Sequence, residues 1–257
     1  MKTSKVALLQ TDIVWENHRE NLERADDLLK ALPKGLDVVV FPEMFTSGFS
    51  VSNPEEQAGF ANRTLAWMQA KAVELNAAIV GTSIVSTNNG YVNRMYFVTP
   101  SDIEFYDKRH LFSLSDEGKK FIPGEDFKVV EWRGVKYALQ ICYDLRFPVF
   151  SRNTMGYDVL LYSANWPAPR IQAWDTLLSA RAIENQCFTV GVNRVGKDVN
   201  GYEHPGHSAV YSFMGRKMGE ADPGVESSEV VELSLDELEV YRRKFPFLAD
   251  RDSFEIQ

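Results

Sequence analysis

The chain has 257 residues, 44% of them hydrophobic and 25% charged, the balance of a globular protein able to bury a substantial core. Its 36 acidic against 28 basic side chains give a formal net charge of −8, which disfavours nucleic acid or an anionic membrane surface as a partner. The opening Met1-Lys2-Thr3-Ser4-Lys5 passes straight into Val6-Ala7-Leu8-Leu9, too short an apolar run for a signal peptide, and no stretch approaches a membrane span, so a cytoplasmic protein is expected.

Val6 to Ile13 reads as a buried strand, and from Asn17 the residues Leu22, Ala25, Leu28, Leu29 and Leu32 recur at helical spacing. Asn17 with Glu20 resembles a helix-start capping box, and Pro33 and Gly35 stop the helix. Asp37 to Glu43 is a strand apolar on both faces, which implies cover on both sides. A helix over Thr64 to Asn76 precedes a strand over Ala77 to Val85, the Asn88-Asn89-Gly90 hairpin signal, and strands at Tyr91 to Val98 and Ile103 to Asp107. A polar loop runs from Lys108 to Asp126. Phe127 to Trp132 and Val135 to Ile141 form a hairpin that leads into Cys142, with a helix expected over Phe147 to Thr154. Tyr157 to Asn165 is strand, a helix opens at Trp166 to Arg170 and runs to about Asn185, and strands at Cys187 to Asn193, Ser208 to Phe213 and Ser228 to Leu233 precede a helix at Asp236 to Lys244. No repeat or linker interrupts the order, so residues 1–257 are expected to form one domain. Strands alternating with helices, mixed with hairpins, predict a layered α/β fold with parallel and antiparallel pairing.

Glu43, Lys108 and Cys142 each sit just past a strongly apolar strand, and parallel strand ends converge on one sheet edge. A thiol is mostly protonated at neutral pH and needs a base such as a partly desolvated glutamate. A lysine ammonium would favour the thiolate and, with the Tyr143 backbone N–H, stabilise an oxyanion. The set suits acyl transfer. Each residue also has a plainer reading: Cys142 as a small core residue, Glu43 as a helix cap, Lys108 and Arg109 as solvated charges. Two cysteines, Cys142 and Cys187, are expected as free thiols. His204 and His207 beside Glu203 lack a third and fourth ligand at usable spacing, so no metal is expected.

Pro42-Glu43-Met44-Phe45, Tyr106 to Phe112, and Ile141-Cys142-Tyr143-Asp144-Leu145-Arg146-Phe147-Pro148 resemble, in order, the three signature segments of the nitrilase (carbon–nitrogen hydrolase) superfamily. The likeness extends through Ser163 to Pro167, Ser179 to Gln186 and Gly206 to Ser208. It implies a four-layer α-β-β-α sandwich, usually a homodimer, with no cofactor. It also implies Glu43 as general base, Lys108 as oxyanion stabiliser, Cys142 as nucleophile and Glu117 as a second glutamate that positions substrate, with Asp144 and Arg146 bracing the elbow. The segments Pro42 to Phe49, Asn165 to Arg170 and Tyr241 to Pro246 are similar to the bacterial omega-amidase branch, which implies hydrolysis of the terminal amide of 2-oxoglutaramate or 2-oxosuccinamate. An N-carbamoyl amino-acid hydrolase, an aliphatic amidase or a non-catalytic binding protein on the same fold are the alternatives, and a Cys-His protease using His110 is disfavoured. A Met-salvage-related substrate is also compatible with the resemblance, and the apolar group Met44, Phe45, Phe49 and Trp166 would suit a less polar acyl chain. Arg170 is the first candidate for the substrate carboxylate, ahead of Arg194 and Arg109.

Overall fold

The computed structural model describes residues 2–256. Strand β1 (Thr3–Gln10) leads to helix α1 (His18–Ala31) through Asn17, whose Oδ1 accepts from the Glu20 backbone N–H at 3.2 Å while its amide donates to the Glu20 carboxylate at 2.8 Å. Glu20 therefore closes the cap on the Asn17 side chain. Strand β2 (Val38–Val40) is shorter than the sequence suggests, because Pro42 has no N–H with which to continue a central ladder. Helices α2 (Pro54–Ala58) and α3 (Ala61–Leu75) follow, then the meander β3 (Ala78–Thr87), β4 (Gly90–Val98) and β5 (Ile103–Asp107). The polar loop holds one helical turn, α4 (Glu117–Lys120), before the hairpin β6 (Lys128–Trp132) and β7 (Val135–Ile141).

The helix expected over Phe147 to Thr154 does not form. The chain instead makes a 3-10 turn at Cys142–Arg146 and continues irregularly to β8 (Val159–Ala164). Pro148 biases its predecessor away from the helical region, and Phe147 sits at φ −114°, ψ 85°. Asn153 then supplies hydrogen bonds that a helix would have made itself. Its Oδ1 accepts from Tyr157 N, and its Nδ2 donates to Tyr157 O and Asn185 O, all at 3.0 Å. Helix α5 (Ile171–Asn185), β9 (Phe188–Asn193), a ribbon of β10 (Val195–Lys197) and β11 (Glu203–Pro205), β12 (Ala209–Tyr211), β13 (Lys217–Glu220), β14 (Ser227–Ser234) and α6 (Leu235–Lys244) complete the order.

Two six-stranded sheets result, ordered β14-β1-β2-β3-β4-β5 and β13-β12-β9-β8-β7-β6. The valines of β2 explain their stacking. Val38 and Val40 join Val6 and Leu8 in the core between the sheets, against Tyr137, Leu139 and Ile141. Val39 points the other way with Ala7 and Leu9, onto Leu22, Ala25 and Leu29 of α1 and Met68 of α3. On the far side, Ala138, Leu160 and Tyr162 pack on Trp174, Leu178 and Ala182 of α5. The architecture is thus the four-layer α-β-β-α sandwich. Strand β2 is parallel to both neighbours, and β7, β8 and β9 are mutually parallel, so their C-terminal ends share an edge in each sheet. Among the described residues no helix is long and apolar enough to cross a membrane.

Candidate active site

Those shared edges carry the reactive side chains. The first sheet contributes Glu43, three residues past β2, and Lys108, the residue after β5, whose backbone N–H donates to Asn93 O of β4 at 2.9 Å. The second contributes Cys142 after β7, Asn165 after β8 and Arg194 after β9. Glu43, Lys108 and Cys142 all line one cavity of about 370 Å³. The sequence-level trio is therefore brought together.

Glu43 and Lys108 belong to an ionic cluster that extends behind the cavity wall. Lys108 Nζ donates to Glu43 Oε1 at 2.9 Å and to both Glu117 oxygens at 3.0 and 2.9 Å. Asn93 Nδ2 donates to Glu43 Oε1 at 2.8 Å and to Glu117 Oε1 at 2.9 Å. Backbone N–H groups complete the set, Asn165 to Glu43 Oε2 at 3.0 Å and Phe112 to Glu117 Oε2 at 2.7 Å. Glu43 and Glu117 are 0% exposed and Lys108 1%. Burial works against the Lys108 charge, but Glu117 and Glu43 outweigh it and hold the ammonium above its ordinary value. Burial likewise pulls the Glu117 carboxyl above its ordinary value, with Lys108 opposing.

Cys142 is held in the left-handed region at φ 45°, a conformation that disfavours a side chain and turns the strand end sharply. Asp144 fixes this elbow. Its Oδ2 accepts from Ile141 N at 2.9 Å and Tyr106 Oη at 2.8 Å, and its Oδ1 from His110 N at 3.0 Å and His110 Nδ1 at 2.7 Å. The His110 ring also stacks on Phe147 at 3.7 Å, so the imidazole is committed to the elbow and does not line the cavity. Desolvation, and then the Glu43 charge, push the Cys142 thiol well up, while Lys108 opposes them. A thiol so placed keeps its proton until a neighbouring base removes it.

Tyr143, Trp166 and Arg170 line the cavity as the sequence suggests, whereas Glu117 stands behind Lys108 and reaches the cavity only through it. Of the apolar group, Phe49 and Trp166 line the cavity, but Met44 and Phe45 are turned into core clusters. Arg194 faces the cavity and is anchored on Ile13 O at 3.1 Å and Val195 O at 3.0 Å, while Arg109 lies outside it and donates to Glu125 O at 3.1 Å. Arg146, read from sequence as a brace, also lines the cavity, its guanidinium 4.9 Å from the centre of the Trp166 ring. Arg170 lies 5.4 Å from that of Phe112. His204, on the unforeseen ribbon, is buried in the cavity wall with its pKa lowered to about 4 by burial and then by Arg194, so it is neutral at pH 7. His207 faces Asp175 at 3.0 Å instead. Among the described residues no group of three His, Cys, Asp or Glu side chains is placed to hold a metal ion.

A strand-end thiol, an ammonium and two carboxylates around a small cavity, on an α-β-β-α sandwich, define a class. The carbon–nitrogen hydrolase family model matches residues 5–243, and the chain belongs to that family, whose members hydrolyse carbon–nitrogen bonds other than peptide bonds. It is 45% identical to the omega-amidase YafV of Yersinia enterocolitica over 99% of both chains. It is 36% identical to a 2-oxoglutaramate amidase of Bacillus subtilis, over 95% of this chain and 96% of that one. Among solved structures it is similar to XC1258 of Xanthomonas campestris, a CN-hydrolase superfamily protein with an arsenic adduct in its active site. The TM-score is 0.96 and the identity 38%, over the whole of both chains.

Proposed function

We propose that this protein is an omega-amidase that converts small 2-oxo acid amides, 2-oxoglutaramate and 2-oxosuccinamate, to the 2-oxo acid and ammonia through a cysteine thioester. Glu43 takes the Cys142 proton as Sγ bonds to the amide carbon, and the oxyanion is held by Lys108 and the Tyr143 backbone N–H. The C–N bond then breaks, the nitrogen receiving its proton from Glu43 and leaving as ammonia. Glu43 next takes a proton from water, whose oxygen attacks the thioester, and the thiol recovers its proton as the acid departs. Glu117 keeps the ammonium in place, and Trp166 and Phe49 pack against the acyl chain.

The observation that carries the substrate class is the charge of the cavity wall. Arg146 and Arg170 reach it with their guanidiniums over aromatic rings, and among the described residues neither has a carboxylate within ion-pair distance. Cations left unpaired at a cavity await an anionic ligand, and a guanidinium receives a carboxylate bidentately. We assign that contact first to Arg170. The similarity to omega-amidases over the full chain supports the same reading. A cytoplasmic homodimer built from one hydrolase unit is part of the proposal.

The test is ammonia release from 2-oxoglutaramate, 2-oxosuccinamate, glutamine, an N-carbamoyl amino acid and a simple nitrile, with Cys142→Ala alongside. Preference for the two oxo-acid amides, lost in the variant, is the expected outcome. Preference for the carbamoyl compound, or turnover that survives loss of the thiol, rejects the reading.

A further inference from the structure

One polar side chain in the cluster has no part in the mechanism above. Asn93 lies within β4, 0% exposed, with apolar Val92 and Met95 nearby on the strand, and it does not line the cavity. Its amide nitrogen carries two hydrogens and spends one on each glutamate, at 2.8 Å to Glu43 and 2.9 Å to Glu117. Its Oδ1 is buried with no hydrogen-bond partner among the described residues. Such an orphan acceptor costs about 1–3 kcal/mol. Rotating the amide to satisfy it would aim the oxygen at two carboxylates, so the donors fix its orientation.

Counting donors separates the two glutamates, because an ionised carboxylate has about four lone-pair positions. On Glu117, Oε1 accepts from Lys108 and Asn93 and Oε2 from Lys108 and Phe112 N, so all positions are filled and none is left for a proton. On Glu43, Oε1 accepts from Lys108 and Asn93, but among the described residues Oε2 accepts only from Asn165 N. One position on Glu43 stays open, on the carboxylate that lines the cavity with Cys142. The Lys108 ammonium, the two Asn93 amide hydrogens and two backbone N–H groups account for all seven contacts.

We propose that Asn93 is a positioning residue which, by bridging Glu43 and Glu117 with one amide group, keeps Glu117 ionised and confines the movable proton of the site to Glu43 Oε2 and Cys142 Sγ. The inference rests on the Glu43–Cys142 reading of the site but on no particular substrate. Without the bridge, Glu43 loses a donor that favours its ionised form, while Glu117, Lys108 and Cys142, the other titratable groups facing it, remain. A carboxylate with one donor fewer is less favoured in its ionised form, so the acid limb of the site's pH profile is expected at higher pH without the bridge.

The experiment compares Asn93→Leu, close in size with no donor, and Asn93→Ser, which keeps one, with the wild type in two assays. In turnover of 2-oxoglutaramate, kcat is expected to fall roughly 10- to 100-fold in Asn93→Leu, part of what a positioned base contributes. KM should stay nearly unchanged, the acid limb of the kcat/KM profile should move up by about one pH unit, and Asn93→Ser should fall between. The second assay is Cys142 alkylation by iodoacetamide against pH, which should show the same displacement and needs no substrate. If the wild type turns over no oxo-acid amide but alkylation shifts, the substrate reading fails and this one stands. A rise in KM with an unmoved acid limb, or alkylation profiles that superimpose, would mark Asn93 as structural packing and overturn it. Should neither variant fold, NMR of the wild-type Asn93 amide decides. Both protons are expected far downfield and slow to exchange, and ordinary positions for either would refute the bridge.

Discussion

Cys142 and Cys187 are both free thiols at the end of a parallel strand of the same sheet, and burial pushes both thiols up. They differ in which end they occupy. Cys142 follows β7 and so emerges at the C-terminal edge, where Glu43 and Lys108 arrive from the other sheet. Cys187 precedes β9 at the opposite edge, with its sulfur 3.9 Å from Arg181 O and Thr189 Oγ1, where the Asp158 and Glu184 charges push the thiol further up and Arg242 opposes them. Burial is common to the two and confers no reactivity. Strand direction decides which thiol meets the Glu43–Lys108 pair at the cavity, and a left-handed elbow pinned by Asp144 then exposes it there.

The sharpest way to break this contrast is to exchange the fates of the two thiols. Cys142→Ala is expected to lower turnover at least about 10³-fold while leaving the fold intact, since loss of a nucleophile removes the covalent route. Steady-state kinetics with a melting curve check this, and residual turnover near wild type would mean that the elbow does not carry the chemistry.

The next largest effect concerns what Cys142 has and Cys187 lacks. Lys108→Met strips the cation from between two buried carboxylates, which costs about 3–5 kcal/mol when a buried pair is broken, and it removes an oxyanion donor, worth about 10²-fold or more in kcat. The pH dependence has a definite sign. Glu117 is already raised above its ordinary 4.5, chiefly by burial, and rises further once Lys108 no longer opposes it. A carboxyl with a raised folded pKa contributes stability that is present below the unfolded value and is lost as pH rises through the folded one. The stability deficit of Lys108→Met against wild type should therefore be smallest below about pH 4.5 and widen toward neutrality. Denaturant melts at several pH values measure it, and a deficit independent of pH would contradict the ionic account.

Legibility in the sequence follows the same division. Glu43, Lys108 and Cys142 could be found because each ends a run whose apolarity marks a buried strand, and the β2 valines announced a layer on either side. Asn93 and Asn165 were not singled out. Their roles come from pairing β4 with β5 and from the juxtaposition of two sheets, with Glu43 and Asn165 separated by 122 positions. The polar residue inside the apolar pattern of β4 was the one available signal for Asn93. The helix expected after Cys142 failed because Pro148 and Asn153 redirect the backbone, whereas periodicity registers only which faces are apolar. The β10–β11 ribbon, three residues a strand, is too short for periodicity to register at all.

A smaller effect sharpens the substrate side. Arg170→Ala should raise KM for 2-oxoglutaramate about 10- to 100-fold, the worth of a charge-assisted hydrogen bond, while changing KM for a neutral amide far less. Equal changes for the two would place the carboxylate elsewhere, with Arg146 next in line because its guanidinium also reaches the cavity.

The smallest effect falls on the silent thiol. Cys187→Ala is expected to leave kcat and KM within about twofold of wild type at pH 7, since most substitutions remote from a site act on stability alone. Its consequence appears only at alkaline pH. Burial, relieved somewhat by Thr189, lifts the Cys187 thiol from 9.0 to about 12, so between those values the unfolded chain sheds this proton and the folded chain keeps it. The folded state then binds more protons than the unfolded one, and stability falls as pH rises across that window. Removing the thiol removes its share of the slope. The stability curve of Cys187→Ala should run parallel to the wild type below about pH 9 and decline less steeply above it. Parallel curves throughout would mean that Cys187 ionises as readily in the folded protein as in the unfolded chain, and that burial does not hold its proton.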